Sequence, residues 1–332
     1  MNIRQLRYIS AVAKHGLNIS ATAESLYTSQ PGVSKQIRLL EDELGVLIFE
    51  RSGRQLTRIT AAGQTIIELA DRALIEIDTV KRIAKEFSSP GLGHLSIATS
   101  YTQARYVLPK VLATLTDRYP QLTYGLHQGT PLQIAQLVND GAADFAIATE
   151  AMQHFEDLVM LPCYLWQRSI LVPRSHPLVE LEHISLKDLA TYPLITYVFG
   201  FTENSVLYQA FNDARLTPRT SLTATDASII KTYVRAGMGV GILASIACDA
   251  EQDSDLVALD ASHLFTASTT RIGFRRGSYL RPYMYDFITL FAPHLTREVV
   301  DTARNIHKPK ALDAFFMDME IPCYGRGDSS PV

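Results

Sequence analysis

Residues 18–60 constrain this chain more than any other stretch, because two short amphipathic helices at a tight turn are followed there by an arginine-tipped hairpin. Asn18 and Ser20 are placed to cap a helix whose apolar face is Ile19, Ala23 and Leu26, and Tyr27-Thr28 breaks it. Ser29 opens a second helix. Pro31 sits in its first turn, where a missing N–H costs nothing, and Val33, Ile37, Leu40 and Leu44 recur at helical spacing until Gly45 stops them. The apolar Val46, Leu47, Ile48 and Phe49 then lead into Arg51, Arg54 and Arg58 around Ser52-Gly53. This order predicts a helix-turn-helix with a wing.

The second helix exposes Ser29, Gln30, Ser34, Lys35, Gln36 and Arg38. Gln and Arg can make bidentate contacts to base edges in the major groove, while hydroxyls and lysine suit phosphates. Arg51 and Arg54, with Arg58, are placed to lie along the DNA backbone or in a minor groove. The whole chain carries −3, yet residues 1–60 hold eight basic side chains against five acidic ones, a local +3 that leaves −6 elsewhere. A basic head on an acidic body fits double-stranded DNA bound at one end. The alternative is a solvated helical hairpin, against which the ordered series of cap, turn, proline, polar face, glycine and arginines argues.

With 332 residues and 47% hydrophobic content, the chain can bury two or three compact units. It has no long apolar run, and Met1 to Leu6 is polar and continuous with a helix, so neither a membrane span nor a signal peptide is expected. Cys163, Cys248 and Cys323 are widely spaced without metal-ligand spacing. A reducing cytoplasm and no metal follow.

Thr60 caps a long helix from about Ala61 to Phe87, in which Ile66, Ala70, Ala73, Ile77, Val80, Ala84 and Phe87 form a heptad seam. The seam suits a homodimer coiled coil, which would let two heads engage two half-sites; the other reading packs the helix on its own domain. Ser88 to Gly93 reads as a hinge. Beyond it strands and helices alternate: Leu95 to Thr99, helix Thr102 to Tyr119, Leu122 to His127, helix Pro131 to Asn139, and Phe145 to Ala148. A second set has strands Ser169 to Val172, Leu194 to Tyr197, Ser221 to Ala224, Val240 to Leu243 and Thr269 to Phe274, with helices Glu203 to Ala214, Asp226 to Ala236 and Pro282 to Phe291. This predicts an α/β domain of two lobes with a cleft, its sheets mostly parallel.

In open α/β sheets ligands sit beyond the carboxyl ends of strands. Thr99-Ser100-Tyr101-Thr102-Gln103, Ala148-Thr149-Glu150, Gly200-Phe201-Thr202 and Ala224-Thr225-Asp226 are such junctions, and their hydroxyls and carboxamide would form a neutral anion cradle if they converged. Singly, each is an ordinary helix cap. Gly237, Gly239 and Gly241 follow a helix and enter a strand, the wrong order for a phosphate loop, so a tight turn is expected. Trp166, the sole tryptophan, either walls a ligand or fills core. No nucleophile elbow, catalytic pair or metal-spaced histidine set is visible, which argues for a sensor rather than an enzyme. A transport-type binding protein, the other rival, would need export.

The run Ala21-Thr22-Ala23-Glu24-Ser25-Leu26-Tyr27-Thr28-Ser29-Gln30-Pro31-Gly32-Val33-Ser34-Lys35-Gln36-Ile37, continuing through Leu40-Glu41-Asp42-Glu43-Leu44-Gly45 to Phe49-Glu50-Arg51, resembles the head of LysR-type transcriptional regulators. The body resembles the CysB/Cbl subgroup, regulators of sulfur assimilation and cysteine biosynthesis, through Thr102-Gln103-Ala104-Arg105-Tyr106, Ala143 to Glu150, Asp157 to Tyr164, Phe199-Gly200-Phe201-Thr202 and Thr269 to Arg276. The resemblance implies a winged head over residues 1–59, a dimerisation helix over 60–88, a hinge over 89–93 and an effector-binding domain over 94–300 like type 2 periplasmic binding proteins. Its lobe I is about 94–163 with 269–300 and its lobe II about 164–268, and 301–332 form a polar tail. It further implies a homotetramer, promoter DNA and RNA polymerase as partners, and N-acetylserine or O-acetylserine with sulfate, thiosulfate or sulfide as effectors of an activator. Ser100, Thr102, Gln103, Thr149 and Thr202 would contact the anion, with Trp166, Thr225 and Ser245 near the cleft. Relatives commonly have Thr at Ser100, and Gly-Arg where Glu203-Asn204 stand here, which weakens the case for the same anion. A LysR-type sensor of a sulfonate-related or aromatic compound is the runner-up.

Overall fold

The computed structural model describes residues 1–53, 55–88, 93–149, 151–202 and 205–324, and divides into two compact units, Met1–Pro90 and Gly91–Val332. In the first, α1 (Ile3–Lys14), α2 (Ile19–Ser25) and α3 (Gln30–Leu44) precede the antiparallel hairpin of β1 (Phe49–Ser52) and β2 (Gln55–Ile59), and α4 (Ala61–Ser88) follows. Each helix start has a local cause. Asn2 and Gln5 form a reciprocal capping box at α1, the Asn18 carboxamide accepts the Ala21 N–H at 3.0 Å, and Ser29 Oγ accepts that of Gly32 at 3.2 Å. Gly45 ends α3 at φ +68°, a left-handed cap that suits glycine. Ile9, Val12, Val33, Ile37, Leu40, Ile48 and Phe49 fill the core, whereas Leu44, expected on that face, is 38% exposed as the last residue of α3.

Helix α4 divides the two readings of its seam by position. Ile67 and Ala70 are buried in the head's own core, and Lys14 and Arg7 of α1 reach Asp71 and Asp78 at 3.1 and 3.4 Å. Ala70, expected in a dimer seam, therefore packs within its own domain, while Val80 is 66% exposed. The side chain of Phe87 lies outside the described residues, as does most of the expected hinge.

The second unit holds β3 (Gly93–Thr99), α5 (Tyr101–Tyr106), α6 (Leu108–Arg118), β4 (Leu122–Gln128), α7 (Pro131–Asn139), β5 (Phe145–Ala148), β6 (Leu158–Trp166) and β7 (Arg168–Pro173). It continues through α8 (Leu186–Ala190), β8 (Leu194–Tyr197), α9 (Val206–Asp213), β9 (Thr220–Ala224), α10 (Ala227–Arg235), β10 (Val240–Ala244), β11 (Leu256–Asp260) and β12 (Ser268–Arg275). Helices α11 (Pro282–Phe291), α12 (Arg297–Arg304) and α13 (Pro309–Phe316) and strand β13 (Cys323–Tyr324) complete it. One sheet has the order β13-β6-β12-β5-β3-β4 and the other β11-β7-β10-β8-β9, so the chain passes between them at Gln167 and returns before Ser268. Both sheets are mixed but mostly parallel, since in each a single strand runs against the rest, β12 against β5 and β6 in the first and β7 against β10 and β11 in the second.

Three expectations need correction. The single helix over Thr102–Tyr119 is two, because Pro109 in the first turn of α6 has no N–H and its ring would collide with the preceding turn. The helix expected from Glu203 starts at Val206, where Ser205 Oγ accepts the Tyr208 N–H at 3.1 Å. The polar tail expected from residue 301 is largely built into the fold. Ala303, Leu312 and Phe316 are buried in the core of the first lobe, and β13 adds a strand to its sheet. Among the glycines of the Ala236–Ile242 turn, Gly239 is required by close approach, since a Cβ there would lie 2.3 Å from the Pro193 carbonyl oxygen.

Candidate functional site

On α3 the proposed reading face is accessible. Ser29, Gln30, Lys35 and Arg38 are exposed, and Ser34 and Gln36 half-buried. Among the described residues Lys35 and Arg38 have no ion-pair partner, which leaves both cations available to an anion. The wing arginines are less free than their sequence suggests. Arg51 turns back to pair with Glu41 at 2.5 Å, and the other oxygen of that carboxylate accepts the N–H groups of Ile48 and Phe49 at 2.9 and 3.0 Å. Glu41 is 4% exposed, so Arg51 completes a buried network at the base of the wing instead of projecting from it. Arg58 lies in a bidentate pair with Glu50 on the exposed hairpin; their hydrogen bond holds the carboxyl below and the guanidinium above the usual range. Arg54 lies outside the described residues.

In the second unit the parallel strands β3, β4, β5, β8, β9 and β10 bring their carboxyl ends to one cavity between the sheets. Its volume is ≈ 90 Å³, and Ser100, Thr102, Gln103, Thr149, Trp166 and Thr225 all line it. Tyr197 and the Gly129-Thr130-Pro131 turn join them. Among the described residues the lining carries no formal charge at neutral pH. Thr102 Oγ1 donates to the Tyr197 hydroxyl at 3.3 Å, and that phenol also accepts the Ala244 N–H at 3.4 Å. Burial raises the Tyr197 pKa well above the phenol range, so it meets a ligand as a neutral hydroxyl. The indole N–H of Trp166 is buried without an acceptor among the described residues, and Arg168 lies over its ring at 4.7 Å. An unpaired buried donor in a cavity wall favours a ligand that brings an acceptor.

Behind this wall Gln103 is held at both ends of its carboxamide. The Tyr164 hydroxyl donates to Oε1, Nε2 donates to Thr270 Oγ1 at 3.4 Å, and Thr270 meets Thr149 Oγ1 at 3.2 Å. Tyr164 and Thr270 support the site without lining it.

Thr202 and Ser245 stand apart from the inner cavity. Thr202, which bonds the Phe199 carbonyl oxygen at 3.1 Å, lines an outer chamber of ≈ 690 Å³ that shares Thr130, Pro131, Thr149 and Phe199 with the inner one. Ser245 lines neither described chamber. Its hydroxyl donates to the Gln167 carbonyl oxygen at 2.8 Å and accepts from Ser169 at 2.9 Å, so it fastens the crossing between the sheets. Glu150, Glu203 and Asn204 lie outside the described residues, and Asp226 is occupied capping Ser228 at 2.9 Å. Sequence reasoning missed Thr130 and Tyr197. Thr130 had a readable signal, its capping box with Gln133, whereas Tyr197 had none.

No His, Cys, Asp and Glu cluster suited to a metal occurs among the described residues, and none of their helices is long and apolar enough to cross a membrane. Burial raises the Cys163 thiol far above its usual range, which makes it inert.

A winged helix-turn-helix followed by a domain whose two sheets enclose a small cavity, walled by apolar side chains and studded with hydroxyls, defines a ligand-sensing DNA-binding protein. Residues 3–64 match the bacterial regulatory helix-turn-helix family of LysR type, and residues 89–296 match the LysR substrate binding domain. The chain belongs to the LysR family of DNA-binding transcriptional regulators. It is 48% identical over 321 residues to the HTH-type transcriptional regulator CysB of Haemophilus influenzae, covering 97% of this chain and 99% of the relative. It is also 48% identical to SsuR of Burkholderia cenocepacia over 295 residues, 89% of this chain and 96% of that protein. The cofactor-binding domain of the Cbl transcriptional regulator superposes with a TM-score of 0.61 at 38% identity, over 64% of this chain and 92% of that structure. Full-length CbnR complexed with its target DNA matches in fold, with a TM-score of 0.60 at 23% identity over 91% of this chain and all of that one.

Proposed function

We propose that this regulator is a cytoplasmic activator of sulfate-assimilation and cysteine-biosynthesis genes, working as a homodimer or homotetramer on promoter DNA and engaging RNA polymerase there. Helix α3 reads the operator through Gln30, Gln36 and Arg38, while Ser29, Ser34 and Lys35 hold phosphates. Residues 60–88 act as the dimerisation rod, residues 89–93 as the hinge, and the lobes of 94–163 with 269–300 and of 164–268 as the sensor. The effector is N-acetylserine, O-acetylserine or a sulfur oxyanion such as sulfate or thiosulfate.

The observation that carries this reading is the convergence of Ser100, Thr102, Gln103, Thr149, Trp166 and Thr225 on one cavity that is uncharged among the described residues, together with near-complete coverage of a CysB relative at 48% identity. A neutral cradle of hydroxyls and N–H donors satisfies an oxyanion by hydrogen bonds without an ion pair. A larger, sulfonate-type ligand is the second reading. It rests on the outer chamber, where Pro131, Leu132, Met152, Phe199 and Val206 would receive an apolar tail.

Ligand binding favours one arrangement of the lobes and so changes how dimers pair and how the heads span the promoter; this requires unequal affinity for the two arrangements. Calorimetry with sulfate, thiosulfate and N-acetylserine tests the cavity. Thr102→Val should remove most of the binding enthalpy while operator affinity stays within about twofold. Undiminished binding would take the ligand out of this cavity.

A further inference from the structure

The C-terminal strand lies against the wall of the sensing cavity. Strand β13 pairs in parallel with the end of β6, Cys323 opposite Leu165 and Tyr324 opposite Trp166. The Leu165 N–H donates to the Pro322 carbonyl oxygen at 2.8 Å, and the Gln167 N–H to that of Tyr324 at 3.4 Å. These bonds fall where the chain leaves the first sheet for the second. The ring of Tyr324 meets that of Tyr164 edge-on, centroids 5.6 Å apart at 78°. Tyr164 is fully buried and is packed by Phe291 on another side, at 5.7 Å. Its hydroxyl donates to Gln103 Oε1, so Tyr324 acts on a cavity-lining carboxamide through one intervening ring.

The local geometry of β6 makes this relay necessary. In its pairing with β12, Thr270 faces Tyr164 and Arg271 faces Pro162, which leaves Cys163 as an extra residue. Such a bulge re-aims the next side chain and weakens the ladder beside it, and Pro162 contributes no N–H to repair it. With the ladder weakened at that point, the direction of the Tyr164 hydroxyl depends on the rings around it. Tyr324 supplies one of those contacts from 28 residues beyond the end of the family match at 296.

We infer that Tyr324 is a positioning residue for the effector cavity: β13 seats its ring against Tyr164, which fixes the Gln103 carboxamide and the neighbouring Trp166 in the geometry that binds ligand. The C-terminal strand thereby sets effector affinity although it does not touch the ligand. This rests on the effector site proposed above.

The experiment uses the full chain and three variants, Tyr324→Ala, Tyr324→Phe and, as a control on the exposed end of α13, Met317→Ala. Sulfate, thiosulfate and N-acetylserine are titrated by calorimetry. Emission of the single tryptophan is recorded without ligand, because Trp166 both pairs with Tyr324 and lines the cavity. Tyr324→Ala should weaken binding about tenfold, the scale of one well-placed contact, and shift the ligand-free emission. Tyr324→Phe, which keeps the ring, should restore both, and Met317→Ala should change neither. Unaltered affinity in Tyr324→Ala, with only a lower melting temperature, overturns the inference by reducing the strand to a structural role. Equal losses in the Ala and Phe variants overturn it as well, because the ring contact would not be the cause. If the wild-type chain binds none of the three probes while emission still shifts in Tyr324→Ala alone, the sulfur-effector reading fails and the positioning of the wall by Tyr324 stands.

Discussion

Two buried carboxylates show what single residues do here beyond their type. Glu41 satisfies two backbone donors and Arg51 at once. Glu41→Ala would leave those donors and a partly buried guanidinium unpaired, so it should destabilise the winged head by about 2–4 kcal/mol in urea unfolding. In the second unit Asp253 meets Lys231 at 2.5 Å and Arg235 at 2.9 Å, and is 7% exposed. Burial pushes its carboxyl pKa up, but hydrogen bonds from Lys231, the Asp249 N–H and Arg235 outweigh burial and hold it below the usual aspartate value. A depressed folded-state pKa gives stability that is complete above the unfolded value of about 3.9 and is lost as pH falls through the folded one. Acid unfolding of the second unit should therefore steepen below about pH 4, and Asp253→Asn should flatten that limb of the melting curve while lowering stability at neutral pH.

At the scale of elements, α4 begins where a glycine lets it. A Cβ on Gly63 would stand 2.1 Å from the Ile48 carbonyl oxygen, and Ile48 belongs to the same turn that Glu41 holds. Gly63→Ala should cost about 1–3 kcal/mol, seen as a lower melting temperature of the head, because backbone rather than a flexible side chain must give way. Further along, Val80 is exposed on the face assigned to the dimer rod. Val80→Glu should weaken self-association in sedimentation equilibrium without changing helix content; an unaltered dimer constant would place the partner contact elsewhere. The seam spacing alone could not separate these two halves of α4, because Ala70 has the right period for either use and only α1 decides which it serves.

Across the whole molecule, charge and distance in sequence govern function. Among the described residues Lys35 and Arg38 lack ion-pair partners on an accessible helix, so each should contribute counterion release on DNA. Lys35→Ala should reduce the slope of log affinity against log salt by about 1 and weaken operator and random DNA alike, whereas Gln36→Ala should cost about 1–3 kcal/mol on the operator only.

The head, its caps and its turn were legible in the sequence because each depends on neighbours within four residues: Asn18 on Ala21, Ser29 on Gly32, Gly45 on its own φ. The alternation of strands and helices was legible for the same reason, as were the hydroxyls at strand ends. Strand β6 was not, since Pro162 and the bulge at Cys163 break its period, and neither was the tail, whose short apolar pairs acquire meaning only against a sheet. Nor could the sequence show that Arg51 would pair with Glu41, or that Ser245 would bond the Gln167 carbonyl oxygen, since both partners are brought up by the fold. Local chemistry thus determined what kinds of element this chain forms and which polar groups it carries to their ends. Tertiary packing alone decided which of them meet, because Ser100, Thr149, Trp166, Tyr197 and Thr225 share one cavity only after two sheets built from distant segments face each other.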